Sequence, residues 1–166
     1  SGLLVPGSGA PLGRVRTGIA VRAADAPPDI ADRASLAAAL RNAKAIYFPD
    51  PQRATAGIHF VNVLRRLGIE AAVAPFLKPF ADGATAMQQL AQAREAHAIG
   101  CTQLTEILYT DGVALAGPLP AEFELATVYA AAVARNAADA ERAAKLVALL
   151  SGPACAAMRA AGGFEA

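Results

Sequence analysis

The sequence predicts an α/β fold in which a mostly parallel sheet is flanked by helices. Apolar segments of strand length alternate along the chain with segments whose apolar residues repeat at helical spacing. The connections between them are short and contain Pro, Gly and Asp. Because parallel strands need a crossover, an intervening helix is the expected connection.

Composition limits the classes of protein. The 166 residues, 55% of them hydrophobic, fit one ordinary domain or two small lobes that share a sheet. The formal net charge is +1, charges of one sign do not cluster, and aromatic residues are only 5%, so we predict no nucleic-acid partner. No apolar stretch is long enough to cross a bilayer without a charged residue, so we predict a protein that is not membrane-embedded.

The first part of the chain predicts repeated strand–helix units. Strands are predicted at Arg14–Ala23, Ala45–Phe48 and Ala71–Ala74, and helices from Asp32 or Ser35 to Ala43, from Thr55 to Leu67 and from Gly83 to Glu95. In the helix from Thr55, apolar residues repeat on one face and Gly68 is placed to end it.

The second part continues the alternation. Strands are predicted at Ala98–Cys101, Val113–Ala116 and Glu124–Ala134, and helices at Gln103–Leu108, Ala138–Leu150 and Pro153–Ala161. Proline in the first turn of the last helix and Gly162 after its end are typical of helix boundaries.

Two helix starts are candidate anion sites. Thr55, Ala56 and Gly57 follow a buried strand and a Pro-bounded loop, and Thr85 lies at a similar start after Gly83. The amide groups of a first helical turn and the helix dipole attract anions, and small residues allow close approach. The alternative is that each start is an ordinary strand-to-helix turn.

Gln103 is the third candidate contact, because its amide can donate a hydrogen bond at the end of another buried strand. Helix starts that follow parallel strands gather at the carboxyl ends of those strands, so the three segments are expected to converge. The alternative is that Thr102 or Gln103 only caps the helix that follows.

No residues predict catalysis, a metal or a cofactor. His59 and His97 lie far apart without carboxylates at ligand spacing, and Glu106 and Asp111 are isolated carboxylates, expected to be solvated or to cap helices. Phosphate-loop, dinucleotide and hydrolase motifs are absent from the sequence. Two cysteines, Cys101 and Cys155, are either buried free thiols or a disulfide.

Three segments resemble the molybdate-binding type of periplasmic solute-binding protein from ABC importers: Pro49–Ile69, Ile99–Val133 and Leu149–Phe164. The order of motifs is typical of that family. It comprises an Asp-Pro loop, an Ala-Gly helix start, a later Gly-containing strand, a Gly-Pro helix start and a terminal Gly-Phe. The likeness covers nearly the whole chain.

The resemblance implies a periplasmic-binding-protein-like fold with one complete lobe and part of a second, the family's early lobe 1 segment being absent from this sequence. Residues 1–13 would be a lobe 1 remnant and linker, residues 14–124 lobe 2, and residues 125–166 a return strand with the last helices of lobe 1. The strands that join the lobes would be Gly18–Arg22 and Leu125–Val133, with the anion held between the lobes.

By position, the family's helix-start alanine falls on Ala56, a second backbone contact near Thr85 and a site tyrosine on Gln103. The resemblance therefore implies an importer component that captures a molybdate-like oxyanion or a carboxylate and delivers it to an ABC permease. The alternatives are an isomerase of small polycarboxylates on the same fold and an anion-sensing or interaction domain.

The family also implies a periplasmic location. A cytoplasmic location stays open, because residues 1–9 show no signal-peptide pattern. The apolar surface expected on the incomplete lobe predicts a homo-oligomer formed through that surface.

Overall fold

The computed structural model describes residues 2–165 and divides into two compact units. Residues Arg16–Leu125 form one, which we call the sheet unit. The residues up to Val15, together with those from Ala126 onward, form the other, which we call the terminal unit. The structure divides the chain after Val15 and after Leu125, whereas the sequence predicted divisions after residues 13 and 124.

The sheet unit alternates strands and helices. In chain order it holds the second part of β1 (Ala10–Arg22), α1 (Arg33–Asn42), β2 (Ile46–Pro49), α2 (Thr55–Arg66), α3 (Glu70–Val73), β3 (Leu77–Phe80), α4 (Gly83–Ala91), β4 (Ile99–Gln103), α5 (Leu104–Tyr109) and β5 (Val113–Pro118). Short 3-10 helices lie at Ala74–Phe76 and Ala121–Phe123. The predicted α/β class is confirmed.

The strands of the sheet unit are ordered β3-β2-β4-β1-β5. β2 pairs in parallel with β3, with Ile46 opposite Leu77, and in parallel with β4, with Ile46 opposite Ile99. β1 is antiparallel to both β4 and β5. Strands β3, β2, β4 and β5 therefore run in one direction and β1 in the other, so the sheet is mixed, although most of its strands share one direction.

The core of the sheet unit lies on both faces of this sheet. On one face Ile46 and Phe48 pack with residues from α1 and α2, such as Leu40 and Phe60. On the other face Tyr47 packs with residues from α4 and α5, including Met87, Leu90 and Ile107. Successive residues of a strand point to opposite faces, so a strand buried on both faces reads as an unbroken apolar run.

The predicted strand at Ala71–Ala74 is wrong. Those residues form α3 and the start of a 3-10 helix, and the strand lies later, at Leu77–Phe80. Alanine-rich segments favour helix, and Gly68, with a φ of 68°, ends α2 so that a new helix can begin. The actual strand contains Pro79, which made it hard to predict because proline is rare within strands. It is accepted here because β3 is an edge strand of the sheet.

Several predicted boundaries also differ from the structure, and β1 begins at Ala10 rather than Arg14. α4 ends at Ala91 rather than Glu95, and β6 covers Ala126–Ala131 rather than Glu124–Ala134. The last predicted helix begins as a 3-10 helix, Pro153–Cys155, before α7 (Ala156–Ala161). Helix and strand ends are the least certain part of a pattern because local hydrogen bonds decide them.

The terminal unit contains the first part of β1, then β6, α6 (Ala140–Ser151), α7 and β7 (Phe164–Glu165). β7 is antiparallel to β1, with Val15 opposite Phe164, and β6 also pairs with β1. Within Ala140–Ser151 no residue is buried, and Leu146 and Leu149 are each more than half exposed. Among the described residues, no helix is long and apolar enough to cross a membrane.

Candidate functional site

Three strand-to-helix junctions lie together at the end of the sheet unit where parallel strands finish. We call this end the carboxyl edge. β2, β3 and β4 are parallel neighbours and are followed by α2, α4 and α5, respectively. Their register places Pro49 opposite Phe80 and Tyr47 opposite Gly100, so the strands end at similar levels. The junctions that the sequence singled out therefore lie on neighbouring strands.

The start of α2 lacks a capping side chain. Thr55, Ala56 and Gly57 are its first three residues, and Ala54 at the N-cap makes no side-chain hydrogen bond to them. The first amide groups of a helix have no acceptor within the helix. The first turn carries no acidic residue, so no side chain of this helix neutralises the positive, N-terminal end of its dipole.

The loop before α2 is held in one shape by Asp50. Its carboxylate accepts hydrogen bonds from the backbone amides of Gln52 at 2.7 Å and Arg53 at 3.2 Å, and its carbonyl accepts from the amide of Ala54 at 3.0 Å. An open cleft of about 410 Å³ lies between this loop and the end of β3, lined by Asp50–Gln52 and Pro79–Ala81. The loop is thus ordered without using the amides of α2.

Gly57 has a structural role besides the predicted one. A Cβ atom at this position would overlap the carbonyl oxygens of Pro49 and Asp50. Its missing side chain lets α2 approach the end of β2. Ala56 is buried beside it, while Thr55 is exposed.

The start of α4 is already occupied by a carboxylate. Asp82 is its N-cap, and the side chain accepts a hydrogen bond from the backbone amide of Thr85 at 2.7 Å. That bond, with a second from the Thr85 hydroxyl, lowers the pKa of Asp82 below its ordinary value. The Thr85 amide predicted to contact ligand therefore has an acceptor from its own chain.

A second carboxylate lies against the same helix start. The hydroxyl of Thr102, which is fully buried, donates to the carboxylate of Glu106, and a Cβ atom on Gly83 would overlap both side chains. Glu106 was expected to be a solvated or capping residue, but it is half-buried and bonded at the carboxyl edge. The four-residue spacing of Thr102 and Glu106 across the β4–α5 junction was the available signal.

Gln103 is the last residue of β4 and the N-cap residue of α5. Its side chain makes no capping hydrogen bond with that helix, so the capping alternative is not what the structure shows for this side chain. It is half-buried and lies opposite Thr17 of β1. Gln103 thus stands at the carboxyl edge, on the strand next to the one that leads into α2.

Other candidate chemistry is dispersed through the fold. Among the described residues, no group of three or more His, Cys, Asp or Glu side chains could hold a metal ion. The Nε2 atom of His59 lies 2.7 Å from the carbonyl oxygen of Phe123, and His97 is on the loop before β4. Cys101 and Cys155 are buried free thiols, and burial raises the pKa of Cys101.

An α/β sheet unit with helix starts gathered at one edge is the architecture of a ligand-binding lobe. The chain belongs to the bacterial extracellular solute-binding protein family, whose family model matches residues 1–165. The family resemblance inferred from the sequence is confirmed at this level. No curated protein matches the chain.

Solved structures with the same fold include several binding proteins. The periplasmic molybdate-binding protein of Azotobacter vinelandii is 20% identical with a TM-score of 0.75, and the match covers 99% of this chain and 71% of that one. The substrate-binding domain of a molybdenum ABC transporter from Clostridium difficile is 14% identical with a TM-score of 0.71, covering 98% and 68%. The sulfate-binding protein SubI of Mycobacterium tuberculosis is 16% identical with a TM-score of 0.62, covering 93% and 57%.

Proposed function

We propose that this protein is the substrate-binding component of an ABC-type importer and captures a small oxyanion or carboxylate at the carboxyl edge of the sheet unit. Family membership supports the solute-binding role, and two proteins of similar fold are a molybdate-binding and a sulfate-binding protein. The family is extracellular, so we propose a periplasmic location and an ABC permease as partner. We propose a binding role rather than catalysis.

The observation that carries this proposal is the uncapped start of α2. Its amide groups face no acidic side chain in the first turn, and the loop before it is ordered independently by Asp50. An anion placed there would gain hydrogen bonds to charged oxygen atoms, each worth on the order of 1.5–3 kcal/mol. Gln103 supplies a neutral donor from the neighbouring strand.

Among the predicted contacts, the structure supports some more than others. Thr55 and Ala56 offer amides of an uncapped first turn, and Gly57 contributes its amide while holding α2 close to β2. Thr85 is a weaker candidate because an incoming anion would have to displace Asp82. We therefore place the centre of the proposed site at the start of α2.

The test is calorimetric titration with molybdate, tungstate, sulfate, phosphate and citrate, with parallel absorbance assays for isomerisation of an unsaturated polycarboxylate. We expect heat from at least one anion and no turnover. Turnover would favour the isomerase alternative. Absence of both binding and turnover would leave the interaction-domain alternative.

A substitution of Thr55 examines the α2 start directly. Thr55→Pro removes one amide at the first helical position, where proline is tolerated, and Ala54 already has the extended backbone that precedes proline. We expect affinity to fall about tenfold because one hydrogen bond to the anion is lost. Thr55→Ala is the matched control, since it removes the hydroxyl but keeps the amide. Equal affinities for the two variants would contradict the proposed site.

A further inference from the structure

A cavity of about 410 Å³ lies in the sheet unit at the edge opposite the proposed anion site. Arg22 ends β1, Asn42 ends α1 and Ile99 begins β4, and all three line this cavity. The loops after β1 and before β4 provide most of the remaining wall, with Val21 of β1 and Ala39 of α1. We call this space the amino-edge cavity.

The floor of the amino-edge cavity is apolar. Val21, Ala98 and Ile99 are buried in the fold and line it, and Pro28 and Ala39 add apolar surface. A cavity of this size with mostly apolar walls is the usual form of a small-molecule site. Its lining differs from the amide-rich carboxyl edge.

The charges in the amino-edge cavity are paired with each other. Arg22 donates two hydrogen bonds to the carboxylate of Asp25, at 2.7 and 3.0 Å, and a third to the carbonyl oxygen of Ala93 at 2.6 Å. This two-pronged pair fixes both side chains and cancels their charges. A ligand with a net charge gains little there, whereas a ligand with a neutral acceptor or donor can bond to the remaining polar atoms.

The backbone of His97, on the wall of the cavity, is an independent observation that favours a binding role. His97 has a φ of 53°, the only positive value at a non-glycine position among the described residues. Such a conformation is unfavourable for a residue with a side chain and is concentrated at functional sites. Here it places a histidine on the wall of the cavity, where glycine would have been the easier residue.

We propose that the amino-edge cavity binds a small uncharged molecule with an apolar body and a hydrogen-bonding group. The apolar body packs on the floor, and the polar group bonds at the rim formed by Arg22, Asn42 and His97. This site is separate from the proposed anion site and does not depend on it.

The test uses three probes of nearly the same shape: benzamide, benzoate and benzylammonium. Backbone amide signals of residues 21–26 and 96–99 are followed by two-dimensional NMR during titration. We expect saturable shifts with benzamide and affinities at least about tenfold weaker with the two charged probes. Equal binding of all three would overturn the assignment to uncharged ligands, and no shift of these signals by benzamide would overturn the site.

Matched variants locate the binding. Ala26→Leu fills the cavity from an exposed loop position, and Ala24→Leu makes the same change two residues away, outside the lining. We expect the first to weaken benzamide binding by about tenfold or more and the second to leave it unchanged. Equal effects of the two variants would contradict the site.

His97→Gly provides a variant that keeps the fold, because glycine adopts a φ of 53° without cost. We expect weaker benzamide binding with no loss of thermal stability. His97→Asn, which tolerates the same backbone and retains a polar group, should recover part of the affinity. Unchanged benzamide affinity in His97→Gly would contradict the proposed role of the rim.

Discussion

The starts of α2 and α4 show how two similar sequences lead to opposite electrostatic environments. Both begin with small residues after a Pro-containing segment, and both follow parallel strands that end at the carboxyl edge. The start of α2 has no capping side chain, whereas Asp82 caps α4 and Glu106 lies against its first residue. A helix start can attract an anion only when its own chain does not already supply one.

The largest expected effect is a loss of stability, and it depends on how tightly each of the two helix starts is packed. Gly57→Ala should destabilise the protein by about 3 kcal/mol, because the added methyl group meets two main-chain carbonyl oxygens that cannot rotate away. Gly83→Ala should cost less, about 1–2 kcal/mol, because the added methyl group meets the side chains of Glu106 and Thr102, which can change rotamer, rather than main-chain atoms. Urea unfolding of both variants measures the difference. A cost for Gly83→Ala equal to or above that of Gly57→Ala would refute this account.

The second prediction concerns a substitution that gives the start of α2 a capping carboxylate like the one at the start of α4. Ala54→Asp places a capping carboxylate at α2, in the extended conformation that an N-cap residue needs. We expect anion affinity to fall about 100-fold while stability rises by about 1 kcal/mol, since the carboxylate takes the amides from the ligand. Calorimetry and thermal melting measure the two effects.

Ala54→Asn is the control for that conversion because asparagine caps equally well without charge. Its loss of anion affinity should be smaller than that of Ala54→Asp. If Ala54→Asp binds anions as tightly as the parent protein, the start of α2 is not the site.

The third prediction concerns the donor beside α2. Gln103→Ala should weaken anion binding about tenfold, because one hydrogen bond to the ligand is lost. The side chain does not cap α5, so the cost of a lost helix cap, about 1 kcal/mol, should not appear in the free energy of unfolding. Titration and urea unfolding of the same preparation test both statements. A loss of stability with unchanged affinity would assign Gln103 a structural role only.

The smallest effect is expected at α4. Asp82→Ala should cost about 1 kcal/mol at neutral pH by removing the cap. The pKa of Asp82 is lowered in the folded protein, so its ionic contribution is complete above the unfolded pKa and is lost as the pH falls through the folded value.

A pH series separates charge from capping geometry at this position. The stability difference between the parent and Asp82→Asn should therefore shrink as the pH falls below about 4. Thermal melts from pH 7 to pH 2.5 provide the measurement. A difference that does not vary with pH would show that the charge of Asp82 contributes nothing.

Local signals predicted much of the fold. Asp32 and Ser35 were alternative caps for the first helix, and the structure uses both, with Asp32 at the N-cap and Ser35 bonding back to it. The buried strand around Tyr47 and the start of α2 at Thr55 were also predictable, since each depends on neighbours in sequence. Such features follow from periodicity and capping chemistry.

Features that depend on distant parts of the chain were not predictable. The reversed direction of β1 follows from its pairing with β4 and β5, which lie far along the sequence. The contact between Glu106 and Gly83 exists only because α4 and α5 follow strands on either side of β2. In the candidate site, the sequence identified both helix starts, but only the structure revealed that Asp82 caps α4 while α2 has no side-chain cap.

The central position of β1 also has a consequence for how the protein is made. Ile19 pairs with Cys101 on one side and with Gly117 on the other, so β1 cannot acquire both neighbours until nearly a hundred further residues have been synthesised. Pairing over such long loops slows folding, and an apolar strand without neighbours is prone to join other chains. During synthesis the apolar segment around Ile19 therefore stays without both of its neighbours until β5 has been made, and a chaperone that covers it in that interval would prevent association with other chains.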